Sequence, residues 1–140
     1  MHLLYKGVVH PWHCDIMAHL NTRHYLAMFD DASYQLLNEA TGWSATSPVW
    51  QGRGFADVHN SLDYIGELKA GELIEISGGI SHIGNSSFTA NYQMTNKHTG
   101  ELAATMMAKL IYFDLVARKS MPLSDAIKDQ MNSRWITLNE

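Results

Sequence analysis

The chain has 140 residues, of which 46% are hydrophobic and 17% charged, and its formal net charge is −4. This length and composition predict one ordered domain over residues 1–140, and the absence of a dense Lys/Arg run argues against nucleic acid as a partner. The single cysteine excludes an intrachain disulfide, and no stretch is apolar for long enough to span a membrane, so we expect a cytoplasmic protein.

The first predicted elements are a short strand over residues 3–9 and, after a polar loop, a long helix over residues 22–40. Apolar side chains recur along this helix at steps of three and four, which places them on one stripe of its surface. Asn21 or Thr22 is the expected N-cap, because both types accept hydrogen bonds from first-turn amides. Gly42 is the expected end of the helix, since glycine readily adopts the left-handed conformation of a helix end.

Asp15 lies in the polar loop that runs into this helix. A carboxylate at that position lies beside unpaired backbone N–H groups and the positive end of the helix dipole, so we expect it to stay ionised near neutral pH. The same N–H groups could stabilise an oxyanion formed when the carboxylate, or water activated by it, attacks a carbonyl. Taken alone, such a carboxylate is more simply a helix cap.

Other side chains near Asp15 could bind a metal or act as a nucleophile. None of the familiar zinc spacings is present, so we expect no metal at the four neighbouring histidines, His10, His13, His19 and His24. Cys14 precedes Asp15, and strand-like alternation would point its side chain away from the carboxylate. We therefore expect Cys14 to be a small buried thiol rather than a nucleophile.

Strand periodicity dominates the chain after residue 54, and a short helix is expected over residues 123–131. The expected strands cover residues 55–64, 73–82, 87–94 and 102–113. The last strand is apolar at nearly every position, which is typical of a central strand covered on both faces. The predicted fold class is α+β, with a long helix across a curved antiparallel sheet of five to six strands. One helix cannot bury such a sheet alone, so we expect another subunit at its edge or other face.

One sequence motif runs from the Asp15 loop into the start of the helix. An Asp is followed by a small residue three positions on, then by His and Asn, and by Tyr ten positions after the Asp; these are Asp15, Ala18, His19, Asn21 and Tyr25. With these residues the chain resembles the hotdog-fold thioesterases, specifically the 4-hydroxybenzoyl-CoA thioesterase-like group. Further similar segments follow in the family's order, at residues 63–64, 71–72, 84–88, 100–105, 113–114 and 118–119.

The resemblance implies a hotdog fold, in which the sheet wraps around the long helix, and a homodimer or homotetramer with active sites between subunits. It also implies hydrolysis of acyl-CoA thioesters to a carboxylic acid and free CoA, with Asp15 as nucleophile or general base. The backbone N–H of Thr22 would polarise the thioester carbonyl. Thioesters have a good leaving group, so no metal or separate cofactor is required, and CoA enters as part of the substrate.

The resemblance and the residue types extend the candidate site beyond these two groups. His19 could orient the substrate or Asp15, and the candidate substrate-binding residues are Asn21, Tyr25, Ser86, Ser87, Arg118 and Lys119. Simpler structural roles stay open for most of them. His19 could pack at the helix entry, Asn21 could cap the helix, Tyr25 could belong to the core, and the two serines could be turn and strand residues.

Two departures from the family pattern bear on function. Ala18 replaces the usual Gly, which matters if that position needs a positive φ. The turn at residues 84–85 has no Lys or Arg, where some relatives place basic residues against the nucleotide phosphates. Two alternatives to an acyl-CoA thioesterase therefore stay open: a non-catalytic domain that binds acyl thioesters, and a hotdog enoyl-thioester hydratase.

Overall fold

The computed structural model describes residues 1–137, which form an antiparallel sheet with a long and a short helix. The strands are β1 (His2–Val8), β2 (Arg53–Tyr64), β3 (Leu73–Ile83), β4 (Ser87–Asn96), β5 (Leu102–Asp114) and β6 (Lys119–Ser120). The helices are α1 (Thr22–Thr41) and α2 (Asp125–Arg134). The strand order is β1-β3-β4-β5-β2, with β6 paired on the end of β5. This is the predicted α+β architecture.

Helix α1 begins and ends at the predicted caps. The Asn21 side chain accepts a hydrogen bond from the Arg23 amide at 3.2 Å, and Gly42 ends the helix with a φ of 80°. The predicted apolar stripe is buried, and Phe29 near its middle is fully inaccessible to solvent. The other buried apolar residues of α1 are Tyr25, Met28, Ala32, Leu36, Leu37 and Ala40. Burial of this stripe, more than helix propensity, holds α1 on the sheet.

The hydrophobic core lies between α1 and the face of the sheet turned towards it, here called the inner face. Strands β3 and β4 alternate as predicted, and their buried inner side chains are Ile74, Ile76, Ile80, Phe88, Ala90, Tyr92 and Met94. Gly78 makes room for this packing, because a Cβ there would come within 2.7 Å of both the Tyr92 ring and Leu4. Helix α2 is the predicted C-terminal helix, although it covers residues 125–134 and not 123–131. It buries Ile127 and Met131.

The prediction that β5 is covered on both faces is wrong for this chain. The strand is central in the sheet order, but apart from Ala103 at its irregular start only its inner side chains, such as Ala108 and Leu110, are buried. On the outer face Lys109 is exposed, and Met107 and Ile111 are half-buried. The physical reason is that α1 packs on the inner face only. The apolar residues of the outer face therefore remain accessible to another surface.

Strand β2 forms one edge of the sheet, and its inner side is the least covered. Within residues 1–137, β2 pairs only with β5, and α1 packs mainly against β1 and β3. The inner side chains of β2 are therefore half-buried or exposed; they are Phe55, Asp57, Asn60, Leu62 and Tyr64.

Candidate active site

The Asp15 loop is closed by hydrogen bonds among its own groups. The Asp15 Oδ1 atom accepts hydrogen bonds from the amides of Met17 at 2.8 Å and His19 at 3.3 Å. The Asp15 amide donates to the His19 carbonyl at 2.8 Å, and the Ala18 amide donates to the Asp15 carbonyl at 3.0 Å. The half-buried carboxylate is thus fixed through one oxygen, while its Oδ2 atom accepts no hydrogen bond from residues 1–137.

Ala18 lies in the left-handed region with a φ of 63°. This is the position where the sequence has Ala in place of Gly. The left-handed conformation costs an L-residue about 1–2 kcal/mol, and the hydrogen bonds that close the loop offset that cost. The loop therefore has the left-handed backbone conformation that glycine favours, although the residue at this position is alanine.

The start of α1 lies directly after this loop. Asn21 donates its amide to the His13 carbonyl at 2.9 Å and caps the helix with its side chain, so the simpler role weighed for Asn21 is confirmed. Thr22 is the first helical residue and is exposed, and the first turn contains no acidic residue. First-turn amides have no acceptor inside the helix, so the Thr22 N–H is available to polarise a carbonyl.

His19 pairs with a residue for which the sequence indicated no role. Its Nε2 atom lies 3.2 Å from Oε2 of Glu67, which follows β2. The Leu20 amide donates to the Leu68 carbonyl at 2.8 Å and holds this turn against the Asp15 loop. Glu67 and His19 are far apart in the sequence and meet only in the folded chain, so residue spacing could not indicate a role for Glu67.

Tyr25 lies in the first turns of α1 between the core and the Asp15 loop. Its hydroxyl donates to the Gly66 carbonyl at 3.1 Å, and its ring meets that of Tyr64 edge-on, with centroids 5.1 Å apart. Burial, then Tyr64 and the charges of Glu67 and Asp15, raise the pKa of Tyr25. The phenol therefore stays neutral and keeps donating. Tyr64 is the second residue near Asp15 for which the sequence analysis predicted no role in the site, although it lies in one of the segments similar to the family.

A histidine cluster precedes Asp15. The His13 ring centroid lies 5.3 Å from that of His10 and 4.8 Å from that of His24. Burial, and then the charges of His24 and His10, lower the pKa of His13. Cys14 is half-buried, with Sγ 3.7 Å from the His10 carbonyl. Within residues 1–137, no three His, Cys, Asp or Glu side chains are arranged to hold a metal ion.

The other predicted substrate-binding residues lie at the far end of the sheet. Ser87 pairs with Ile111 and Lys119 pairs with Asp114, at the end of β5. The opposite end of β5 pairs with Tyr64, beside the start of α1. Helix α1 runs between these two ends, and its 20 residues span about 30 Å.

Ser86 and Arg118 lie at the same far end. Ser86 accepts a backbone hydrogen bond from Tyr112 at 2.8 Å, and the Arg118 guanidinium lies 5.3 Å from the centre of the Phe113 ring. Arg118 and Lys119 are both exposed. One chain therefore brings Asp15, His19, Asn21, Thr22 and Tyr25 together, and leaves Ser86, Ser87, Arg118 and Lys119 apart from them.

Comparison with known proteins points to one family. A family model described as the thioesterase-like superfamily matches residues 9–131. No curated protein matches the chain significantly. Within residues 1–137, no helix is long and apolar enough to cross a membrane.

Many solved structures share the fold. A hypothetical protein of Staphylococcus aureus, solved in complex with CoA, is 17% identical with a TM-score of 0.86, over 99% of this chain and 89% of its own. The 1,4-dihydroxy-2-naphthoyl-CoA thioesterase of Synechocystis is 18% identical with a TM-score of 0.79, over 93% and 95% of the two chains. A probable thioesterase of Escherichia coli is 19% identical with a TM-score of 0.76, over 93% and 98%. At this identity the likeness shows the fold, and the predicted hotdog fold is confirmed.

Proposed function

Because the chain belongs to the thioesterase-like superfamily, we propose that it is an acyl-CoA thioesterase in which Asp15 is the reacting carboxylate. Thioester hydrolysis is the general activity that membership of this superfamily supports. The observation that carries the assignment of Asp15 is its geometry. One carboxylate oxygen accepts two backbone amides, the other accepts none from the described residues 1–137, and the N-terminus of α1 follows directly.

The proposed reaction starts with the thioester carbonyl against the Thr22 amide, which stabilises negative charge on the carbonyl oxygen. In the general-base route, water attacks the carbonyl carbon and its proton passes to Asp15 Oδ2. Collapse of the tetrahedral oxyanion then breaks the C–S bond and releases the CoA thiolate and the acid. In the nucleophilic route, Oδ2 itself forms the C–O bond, the thiolate leaves, and water hydrolyses the resulting anhydride.

A homodimer formed through β2 would complete this site. The strand is a 12-residue edge, and most of its residues from Asp57 onwards are exposed. Long unpaired edges are templates for pairing with another chain, and a two-fold axis would pair two copies of β2 antiparallel. The Tyr64 end of one protomer would then lie beside the Arg53 end of its partner, near the segment that carries Arg118 and Lys119. These two cations suit the phosphates of CoA.

The function is tested by release of free thiol from a panel of acyl-CoA esters that covers straight-chain and aromatic acyl groups. We expect turnover of at least one class of ester, and we expect Asp15→Asn to lower kcat by roughly 10² to 10⁴-fold. Asp129→Asn in the exposed part of α2 is the matched carboxylate control and should keep full activity. Binding of the esters without thiol release would favour a non-catalytic domain, and loss of crotonyl-CoA absorbance without thiol release would favour a hydratase.

The two routes are separated by a single turnover in oxygen-18 water. In the nucleophilic route water attacks the anhydride, and attack at the Asp15 carbonyl carbon leaves the label in the protein. In the general-base route the label enters only the released acid. Mass analysis of the peptide that contains Asp15 distinguishes the two.

A further inference from the structure

The turn after β2 is fixed to α1 and to the loop before it through main-chain acceptors. The Gly66 carbonyl accepts the Tyr25 hydroxyl at 3.1 Å, and the Leu68 carbonyl accepts the Leu20 amide at 2.8 Å. These two bonds do not depend on the side chains of the turn. Glu67 lies between the two acceptors, and its side chain is 75% exposed. The Glu67 carboxylate is therefore not needed to hold the turn in place.

The Glu67 carboxylate instead meets the ring of His19. Its Oε2 atom lies 3.2 Å from the His19 Nε2 atom, a separation that suits an N–H···O bond. An ionised carboxylate only accepts hydrogen bonds, so this contact favours a proton on Nε2. In the neutral ring the lone pair is then on Nδ1, and no group within residues 1–137 donates a hydrogen bond to that atom. Glu67 thus favours the tautomer of His19 in which Nδ1 can accept a proton.

The backbone of His19 is joined to Asp15. The His19 amide lies 3.3 Å from Asp15 Oδ1, and the His19 carbonyl accepts the Asp15 amide at 2.8 Å. The main chain of His19 is fixed by the loop and its ring is held by Glu67, so the imidazole has little freedom to turn. The His19 side chain is 27% exposed, which leaves it accessible to water. An oriented proton acceptor therefore lies in the same loop as the proposed reacting carboxylate.

The nucleophilic route needs a proton acceptor besides Asp15. Once Oδ2 has attacked the thioester, the Asp15 carboxylate is part of the anhydride and can no longer act as a base. The water that hydrolyses the anhydride must still lose a proton as it attacks. The Nδ1 atom of His19 can accept this proton.

We propose that Glu67 is a positioning residue that holds His19 so that Nδ1 accepts the proton of the water that hydrolyses the Asp15 anhydride. This inference rests on the proposed thioesterase function and on its nucleophilic route. The water oxygen bonds to the Asp15 carbonyl carbon while one proton passes to Nδ1. The bond between that carbon and the bridging oxygen then breaks, and the acyl carboxylate leaves. Asp15 and His19 finally return their protons to solvent.

The experiment follows a single turnover of the best acyl-CoA ester of the panel by Glu67→Gln and by the wild type. Release of free thiol measures attack on the thioester, and release of the free acid measures hydrolysis of the anhydride. We expect thiol release within about twofold of wild type and acid release about tenfold slower, with the acyl group found by mass on the peptide that contains Asp15. The factor is modest because water can partly replace an exposed carboxylate.

Two further variants separate positioning from a merely structural role. The double variant Glu67→Gln, His19→Gln should release acid no more slowly than His19→Gln alone, because Glu67 acts through His19. Glu72→Gln is the matched control in the same turn. The Glu72 carboxylate accepts the Lys69 amide at 3.0 Å and bonds to Asn96, so its loss loosens the turn away from His19. Its acid release should follow thiol release as in the wild type.

The outcomes separate this inference from the proposed function. Thiol and acid release that slow equally in Glu67→Gln, or that both keep the wild-type rates, overturn the inference alone. A double variant that is slower than His19→Gln also overturns it, because Glu67 then acts by another path. In these cases thiol release by the wild type, and its loss in Asp15→Asn, would still support a thioesterase. If the wild type releases thiol from no ester of the panel, the proposed function fails and the inference fails with it.

Discussion

Two aspartates at opposite ends of the molecule have nearly the same local geometry. Asp15 Oδ1 accepts the amides of Met17 and His19, and Asp114 Oδ1 accepts the amides of Val116 and Ala117 at 2.9 and 3.0 Å. In each loop a residue other than glycine adopts a positive φ, 63° at Ala18 and 60° at Arg118. A carboxylate that accepts backbone amides is therefore not by itself a catalytic feature.

The surroundings of the two aspartates differ. Asp15 precedes the 20-residue helix α1 and lies near Glu67 and Tyr25, whereas Asp114 leads into the two-residue strand β6. Backbone hydrogen bonds from Ala117 and Val116 lower the pKa of the Asp114 carboxyl, which suits a turn residue that stays ionised. Only the Asp15 end provides free first-turn amides of a long helix, and these are what a developing oxyanion needs. The Asp114 end provides exposed cations instead, at Arg118 and Lys119.

Removing Arg118 and Lys119 tests whether the Asp114 end of the molecule contributes to substrate binding and not to the chemical step. We expect the double variant Arg118→Ala, Lys119→Ala to raise KM for an acyl-CoA ester about tenfold with little change in kcat, because exposed cations bind phosphates without touching the carbonyl. Steady-state kinetics measures this directly. Lys128→Ala on α2 removes a cation elsewhere and should leave KM unchanged.

Mixing variant subunits sharpens that test. Neither Asp15→Asn protomers nor the Arg118, Lys119 double variant has an intact site, but a hybrid dimer carries one site with both wild-type ends. Activity at low substrate concentration should therefore rise after subunit exchange between the two variants. Rates equal to the sum of the separate variants would show that the two ends do not share a site.

The Tyr25 hydroxyl should contribute stability at the Asp15 end. Tyr25→Phe removes its hydrogen bond to the Gly66 carbonyl, and we expect the free energy of unfolding to fall by about 1 kcal/mol. Urea unfolding measures the change. Tyr34→Phe on the exposed side of α1 is the control and should unfold at the wild-type midpoint. Equal stability of Tyr25→Phe and wild type would mean that this bond does not hold the turn to α1.

Replacing Ala18 or Arg118, the two residues other than glycine with a positive φ, by glycine should have the same effect on stability. Ala18→Gly and Arg118→Gly each relieve a left-handed conformation but add freedom to the unfolded chain, so we expect a net gain of roughly 0.5 kcal/mol in each. Thermal unfolding measures both. A loss of stability in Ala18→Gly would mean that the alanine side chain packs usefully in the loop.

Acidification should lower the stability of the folded protein through the histidine cluster near Asp15. Because the pKa of His13 is lowered, the unfolded chain binds more protons than the folded one, and stability falls as pH drops below about 6.5. We expect His24→Gln to reduce the drop in Tm between pH 8 and pH 5.5, values that bracket the ordinary pKa of histidine. His98→Gln in the β4–β5 loop is the matched control, and its Tm should drop as much as that of the wild type.

The sequence predicted most of the fold because the fold follows local patterns. The stripe of α1, the Asn21 and Gly42 caps and the alternation of β3 and β4 are each set by residues within a few positions of one another. The faces of β5 were not predictable from the strand itself, since their exposure depends on what packs on the sheet. The Asp15 motif was recognisable by its spacing, and the positive φ of Ala18 follows from the Gly that it replaces.

The remaining site residues come from long-range contacts. Glu67 reaches His19 only because the turn after β2 folds back onto the Asp15 loop. In the same way, the separation of Ser86, Ser87, Arg118 and Lys119 from Asp15 follows from strand register, which no local spacing shows.

The most direct test of the account compares kcat for Asp15→Asn and Asp114→Asn on the best acyl-CoA ester of the panel. Both changes keep the side-chain shape, and both aspartates accept two backbone amides through Oδ1. We predict that kcat falls by roughly 10² to 10⁴-fold for Asp15→Asn and by less than about twofold for Asp114→Asn. An Asp15→Asn enzyme that turns over as fast as Asp114→Asn would contradict the assignment of Asp15 as the reacting carboxylate.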